Sequence, residues 1–482
     1  MNFRSIFHLI SYMLLVLGIA VGACYGISRL YQDSAEAQRG LFIAGLLILS
    51  AGAVLYFITR GAAELKRKDG FGIVTFGWLV AAFAGALPYL LTGTITSPTA
   101  AIFETMSGFT TTGATVLNDL ENLSRGVLFW RAFTQWVGGM GVLILCVAIL
   151  PFLGVGGMQI FRAEMPGPTK DRLTPRIANT AKLLWGVYLL ISIVLLLLLR
   201  VGGMSWFDSW CHMFTTIATG GFSPRTASIG AYNSLYLDIL LTVFMLISGT
   251  NFALHFRALQ GKPLTYFKDA EFRLYIAIWF GACIILTFNI WQNVYSSFGE
   301  SIRAAFFQGT SILTTTGFVT KDFDAWPDAS RFLLILLMFI GGCAGSTGGG
   351  IKVVRIFIAL KKIYRETLRF LKPHNIWTIK LGRKPLEQSA VSHVAGFILL
   401  FMFLFAMSSF LMTFFTDDIV TAFSSVIATM STIGPGLGNI GATETYADIP
   451  ALGKIILTVC MLLGRLELYT VLIILLPSSW KR

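Results

Sequence analysis

Phe103–Ala114 reads FETMSGFTTTGA, a mostly apolar stretch with helix-compatible residues that closes on three threonines and a glycine. A single copy would be a polar hairpin between helices, because Thr-Gly is a common turn. The same grammar returns at Trp210–Phe222 (WCHMFTTIATGGF), Phe306–Phe318 (FFQGTSILTTTGF) and Phe423–Pro435 (FSSVIATMSTIGP). Aligned on Gly113, Gly220, Gly317 and Gly434, the copies lie 107, 97 and 117 residues apart, which marks four copies of one unit.

Outward from each copy lie apolar runs long enough to cross a bilayer, at 6–30, 40–59, 71–91, 125–150, 182–200, 235–256, 273–291, 330–360, 393–415 and 451–476. The 482 residues are 55% hydrophobic and 13% charged, with mean hydropathy +0.73. Soluble domains carry about 25% charged residues, so a soluble enzyme is excluded and a polytopic membrane protein expected. The first run lacks a small-residue cleavage signature before Arg29, which reads as a retained helix. The six cysteines have no metal-ligand spacing and read as packing residues, and the five histidines are scattered.

The Thr/Ser-Gly segments are too short to span. Irregular backbone is tolerated at membrane depth only where protein buries it or where it lines a water-filled cavity. Four such loops are most economically placed around one axis, where carbonyls freed from helices replace the hydration shell of a cation, as in a potassium filter. Glycine supplies backbone angles that a side chain forbids. The short helices before it would aim their partly negative C-terminal ends at the axis.

Charge sets the orientation. With the N-terminus inside, the inner face collects 26 of the 37 Lys and Arg, among them Arg60, Lys66–Lys68, Arg162–Lys182, Arg257–Arg273 and ten residues from Lys352 to Lys384. This distribution predicts both termini in the cytoplasm. The basic residues do not form one soluble domain, so the net charge of +13 does not indicate nucleic acid. The outer face carries 14 of 24 carboxylates, either to concentrate cations or simply because translocated loops lack Lys and Arg.

Gly341–Gly350 holds six glycines in ten residues inside the 330–360 run. At roughly 1 kcal/mol of helix per glycine relative to alanine, that helix should break. The break follows Gly317 by 24 to 33 residues, which predicts an intramembrane loop, Gly345, Ser346, Thr347, Gly348, Gly349 and Gly350, below the four turns and obstructing the axis. Close helix packing through small residues competes, but does not explain Ser346 and Thr347. A phosphate loop is excluded because no Ser or Thr follows Lys352. Arg465 lies mid-span in MLLGRLELYT, where a cation costs at least about 2.5 to 3.5 kcal/mol. It reads either as a pore-facing electrostatic barrier or as the partner of Glu104 or Glu467.

FTTTGA at 109–114, QWVGGMGV at 135–142, AILPFLGVGGMQIFRAEMPGP at 148–168, IATGGFSP at 217–224, IGGCAGSTGGGIKV at 340–353 and GPGLG at 434–438 resemble the Trk/Ktr/HKT superfamily of potassium transporters, most closely its bacterial uptake subunits. The resemblance implies an all-α polytopic membrane protein with four membrane-pore-membrane repeats (69–160, 161–262, 263–372 and 373–482) around one central pore. Two additional N-terminal transmembrane helices occupy 1–68. It implies potassium coordination by the carbonyls of Thr111, Thr112, Thr219, Gly220, Thr316, Gly317, Ile433 and Gly434, with Gly113 completing the first turn. The family's filter glycine favours potassium, whereas serine in the first repeat goes with sodium. Ile433-Gly434-Pro435 departs from the Thr-Gly pattern, and no repeat carries T-V-G-Y-G, so a shorter and less selective filter is expected.

The resemblance further implies a homodimer in the bacterial inner membrane. A cytosolic nucleotide-binding regulatory ring, which binds NAD and ATP, would dock on the basic loop 352–393 and open the gate. This chain would need no cofactor itself, since it has no G-x-G-x-x-G in a βαβ unit. Potassium symport coupled to protons or sodium is the alternative, and would draw on Glu104 or Glu467. A membrane-embedded transferase or protease would need a catalytic constellation, and none is visible in the sequence.

Overall fold

Long apolar runs closed by polar capping residues become helices in a computed structural model that describes residues 2–61, 67–148, 173–372, 378–382 and 384–480. The 148–168 motif beyond Ala148, seven of the basic residues counted above (Lys66, Arg162, Lys170, Arg172, Arg383, Lys481 and Arg482) and positions 373–377 of the basic loop lie outside the described residues. α1 (Phe3–Leu30) starts behind Asn2, whose side chain accepts the Ser5 amide, and α2 (Ala35–Thr59) behind Ser34, whose hydroxyl accepts the Ala37 amide. The two cross at small residues: a Cβ on Gly18 would meet the Leu49 backbone at 2.9 Å, and one on Gly52 the Leu15 nitrogen at 3.0 Å. Together they pack on the first repeat. In their connecting turn, burial alone would raise the Asp33 carboxyl, but the Ser124 hydroxyl and the Gly126 and Arg125 amides hold it below the usual carboxylate range.

Each repeat then follows one pattern. Repeat 1 is α3 (Arg67–Leu91), α4 (Pro98–Phe109) and α5 (Arg125–Ala148). Repeat 2 is α6 (Leu173–Val201), α7 (Trp206–Ile217), α8 (Leu235–Ser248) and α9 (Phe252–Leu259). Repeat 3 is α10 (Ala270–Ile290), α11 (Phe298–Leu313), α12 (Asp328–Ile340) and α13 (Val353–Leu371). Repeat 4 is α14 (Gln388–Met412), α15 (Ile419–Met430), α16 (Ala451–Arg465) and α17 (Tyr469–Leu475). At 1.5 Å per residue, the 12 residues of α4, α7 and α15 and the 16 of α11 reach about 18 to 24 Å, short of a hydrocarbon core of about 30 Å. They enter the membrane and stop.

These four short helices close a ring. α4 packs between α5 and α16, α7 between α8 and α5, α11 between α12 and α8, and α15 between α16 and α12. Each thus touches the inner helix of its own repeat and that of the preceding one, so the chain is a multi-pass α-helical membrane protein with four-fold pseudosymmetry.

Two of the expected spans are not continuous. The 235–256 run bends by 100° between α8 and α9, and the 451–476 run by 113° between α16 and α17. The first break is local in origin: Gly249 ends α8, and Asn251 Oδ1 caps α9 by accepting the Ala253 amide at 2.9 Å. The second is tertiary. Glu467 and Leu468 adopt φ of 62° and 33°, and the Glu467 carboxylate is held by Lys352 Nζ at 3.7 Å and by Arg355 from repeat 3. The 330–360 run breaks between Ile340 and Val353, at the glycine-rich segment expected to break it.

Candidate functional site

The short helices all end in the same backbone motif. The amides of Thr112, Gly220, Thr316 and Ile433 reach back to the carbonyls of Ser107, Thr215, Ser311 and Ala428, each at 2.8 Å. One residue earlier, Thr111, Thr219, Thr315 and Thr432 donate to Gly108, Thr216, Ile312 and Thr429 at 3.0 to 3.2 Å. This is a Schellman cap, and its left-handed residue is usually glycine. Here it is a threonine in all four repeats, at φ of 55°, 53°, 59° and 56°. A β-branched residue in this region is strained, and such strain collects at functional sites.

Two residues beyond each threonine, Gly113, Gly221, Gly317 and Gly434 take φ of 83°, 78°, 81° and 99°. The structural equivalent of Gly113 in repeat 2 is therefore Gly221, not Gly220. Gly220 corresponds to Thr112, Thr316 and Ile433. The pairs Thr316/Gly317 and Ile433/Gly434 sit one step further along than Thr111/Thr112 and Thr219/Gly220; their equivalents are Thr315/Thr316 and Thr432/Ile433. The double glycine of IATGGF leaves this register open in the sequence, and only the backbone angles resolve it.

The four turns interlock. A Cβ on Gly113 would overlap the Gly220 carbonyl oxygen, one on Gly221 that of Thr316, and one on Gly317 that of Ile433. A Cβ on Gly434 would stand 2.7 Å from the Thr112 oxygen, which closes the circle. Four carbonyl groups, Thr112, Gly220, Thr316 and Ile433, are thus packed each against the glycine of the preceding repeat. Such a ring offers oxygen ligands without charge, the arrangement that replaces a monovalent cation's water.

On one side the ring opens into a vestibule of about 270 Å³, lined by all four turn glycines. Glu444 and Asp448 line it, but so do Arg131 and Arg225, so its wall is not purely acidic. Both arginines are paired: Arg225 with Asp208 at 2.8 Å, and Arg131 with the buried Glu104 at 2.7 Å. Glu104 also accepts the Thr115 hydroxyl at 3.0 Å and the Val116 amide at 2.9 Å, which ties the segment after the first turn back to α4.

On the other side lies the glycine-rich loop. The Thr347 hydroxyl donates to the Ile217 carbonyl at 3.0 Å and to that of Ser248 at 3.2 Å, and accepts from Thr219 Oγ1 at 3.3 Å. The Gly349 amide donates to Thr315 Oγ1 at 2.8 Å. A Cβ on Gly349 would overlap Thr432 Oγ1 and the Ser431 carbonyl, and one on Gly348 would lie 3.1 Å from the Thr314 carbonyl. Gly345, Ser346, Thr347, Gly348, Gly349 and Gly350 therefore bring the loop against the short-helix ends of repeats 2, 3 and 4. Its flanks turn sharply, with φ of 74° at Gly341 and Gly345, 75° at Gly350 and 76° at Lys352.

Arg465 is buried and reaches the same loop: it donates to the Thr347 carbonyl at 2.7 Å and to that of Gly138 at 3.3 Å. Of its two candidate partners, Glu104 is bound by Arg131 and Glu467 by Lys352 and Arg355. A residue missed in the sequence is Glu271, buried in the first turn of α10. It accepts the amides of Ala344 at 2.7 Å and Val354 at 3.2 Å, one inside the loop and one just after it. A lone Glu at the start of an apolar run reads as an ordinary first-turn acid, so no local signal marks it.

The comparisons with known proteins agree with this geometry. A family model described as TrkH, cation transport protein, matches residues 37–481. The Trk system potassium uptake protein TrkH of Escherichia coli K12 is 41% identical over 489 residues, covering 100% of both chains. The Trk system potassium uptake protein TrkG of the same organism is 31% identical over 483 residues, covering 99% of each. The crystal structure of the potassium transporter TrkH from Vibrio parahaemolyticus matches with a TM-score of 0.91 at 40% identity, covering 100% of each chain.

Proposed function

The chain belongs to the TrkH cation transport protein family, and from that premise we propose that it carries potassium into the cell through one central, gated pore. The observation that carries this reading is the closed ring in which each turn glycine lies against the carbonyl of the next repeat. In it Thr111, Thr112, Gly113, Thr219, Gly220, Gly221, Thr315, Thr316, Gly317, Thr432, Ile433 and Gly434 form the filter. The loop 345–350 is the closed gate beneath it, and Arg465 is its electrostatic and hydrogen-bonded support.

Potential-driven uptake is favoured over proton- or sodium-coupled symport. The two carboxylates that the sequence offers to a coupled mechanism are engaged elsewhere, Glu104 by Arg131 and Glu467 by Lys352 and Arg355, and the buried Glu271 is taken up by the amides of Ala344 and Val354. The chain acts as the membrane component of a larger system: a homodimer in the inner membrane, both termini cytoplasmic, opened by a cytosolic ring protein that holds NAD or ATP and docks on residues 352–393. The basic face of α13, with Lys361, Lys362, Arg365 and Arg369, supports such a docking surface.

Rubidium uptake into proteoliposomes of the purified chain, driven by a potassium gradient, tests the reading. Uptake that follows voltage, saturates with potassium and ignores external sodium and pH is expected. Strict dependence on a proton or sodium gradient would replace the pore with a symporter.

A further inference from the structure

The motif QWVGGMGV opens on Gln135, a fully buried side chain of α5. Its Nε2 donates to the Gly220 carbonyl at 2.6 Å, and its Oε1 accepts the Phe222 amide at 3.1 Å. The amide therefore brackets Gly221 from both sides. The reverse orientation would set oxygen against oxygen and N–H against N–H, so the two bonds fix the flip. Gly138 and Gly139 place the helix for this contact: a Cβ on Gly138 would overlap the Phe109 carbonyl, and one on Gly139 would stand 2.8 Å from Ala218 Cα. α5 thus lies directly on the ends of α4 and α7.

Repeat 2 differs from the other three at two turn positions, and at the first it carries Ala218 where they carry Thr110, Thr314 and Ser431. Where they carry Thr112, Thr316 and Ile433, it carries Gly220, whose φ lies outside the range that demands glycine. What requires glycine there is space. The three atoms nearest a Cβ on Gly220 are Cδ, Oε1 and Nε2 of Gln135, the first two close enough to overlap and Nε2 at 2.8 Å. Thr112 and Thr316 bond back to Thr110 and Thr314, each hydroxyl pair 2.8 Å apart, and so brace their own turns. Repeat 2 has no such side chain, and Gln135 of repeat 1 occupies its place.

We propose that Gln135 is a specificity-determining positioning residue: lent by repeat 1, it braces the repeat 2 turn and sets the direction of the Gly220 carbonyl in the ring. A carbonyl oxygen has two lone pairs, so the amide takes one and leaves the other for an ion. Selection among monovalent cations depends on how many carbonyls converge and how firmly they are held. The inference rests on the reading of the ring as a potassium filter.

The experiment compares potassium and sodium as competitors of rubidium uptake in proteoliposomes of the wild type, Gln135→Met, Gly220→Thr and the double variant Gln135→Ala/Gly220→Thr. Gln135→Met keeps the volume and loses both bonds, and its potassium-over-sodium preference should fall by about two- to tenfold. Gly220→Thr alone should lose uptake, because the new side chain meets Gln135. The double variant removes that clash and should recover uptake, but Ala218 stands where repeats 1 and 3 carry Thr110 and Thr314, so the new hydroxyl lacks their partner and the preference should stay below that of the wild type. A wild type without potassium preference overturns the filter reading and this inference with it. A selective wild type whose Gln135→Met variant is equally selective, or a double variant no better than Gly220→Thr, overturns the role of Gln135 alone.

Discussion

Replacing a turn glycine by serine drives a Cβ toward the carbonyl of the neighbouring repeat, and the four sites are not equally crowded. The overlap is deepest at Gly317 and Gly221, slightly less at Gly113 and least at Gly434, where the new atom would stand 2.7 Å from the Thr112 oxygen. Serine at Gly317, Gly221 or Gly113 should therefore cost the most potassium preference, and Gly434→Ser the least. Competition between potassium and sodium for rubidium uptake reads the order, and a Gly434→Ser protein less selective than Gly317→Ser would contradict it. The glycines were legible in the sequence because a turn needing positive φ has few other solutions. The register of repeat 2 was not, because Gly220 and Gly221 are both glycine for different reasons, one for a neighbour's side chain and one for its own backbone angle. The strained threonines were legible as residues but not as strained, since Thr in a loop ordinarily sits at negative φ.

At the scale of elements, the break between α12 and α13 announces itself through six glycines, whereas the break between α16 and α17 is written in a residue from another repeat. Glu467 lies in that break at positive φ, with Lys352 and Arg355 opposite its carboxylate. The loop between α12 and α13 is held against the ring of turns by bonds that can be removed singly. Thr347→Val keeps the shape and loses the hydroxyl bonds to Ile217, Ser248 and Thr219. Arg465→Gln weakens the grip on the Thr347 carbonyl. With a net hydrogen bond worth about 0.5 to 1.5 kcal/mol, each change should raise uptake in the absence of any partner by about two- to tenfold. Shortening Gly345–Gly350 should raise it further. The measurement is basal rubidium flux at equal amounts of folded protein, and flux that stays level or falls in all three variants would mean that the loop does not close the pore.

For the whole molecule, the order of helices and the distribution of charge have to agree on one orientation. Every short helix starts on the side of the vestibule and ends at the ring, and the glycine-rich loop and α13 lie on the opposite side. The positive-inside rule puts the basic side, where α13 carries Lys361, Lys362, Arg365, Arg369 and the following Lys372, in the cytoplasm. The vestibule, with Thr445 and Glu444 at its rim, then faces out. The native thiols make this testable, because Cys24, Cys211, Cys283, Cys343 and Cys460 are all buried. In a background where Cys146 is replaced by serine, Thr445→Cys should react with a membrane-impermeant maleimide on intact spheroplasts. Lys372→Cys, at the exposed end of α13, should react only after the membrane is opened. The reverse pattern would turn the ring around and put the glycine-rich loop and the basic face of α13 outside, which would remove the proposed cytosolic docking surface.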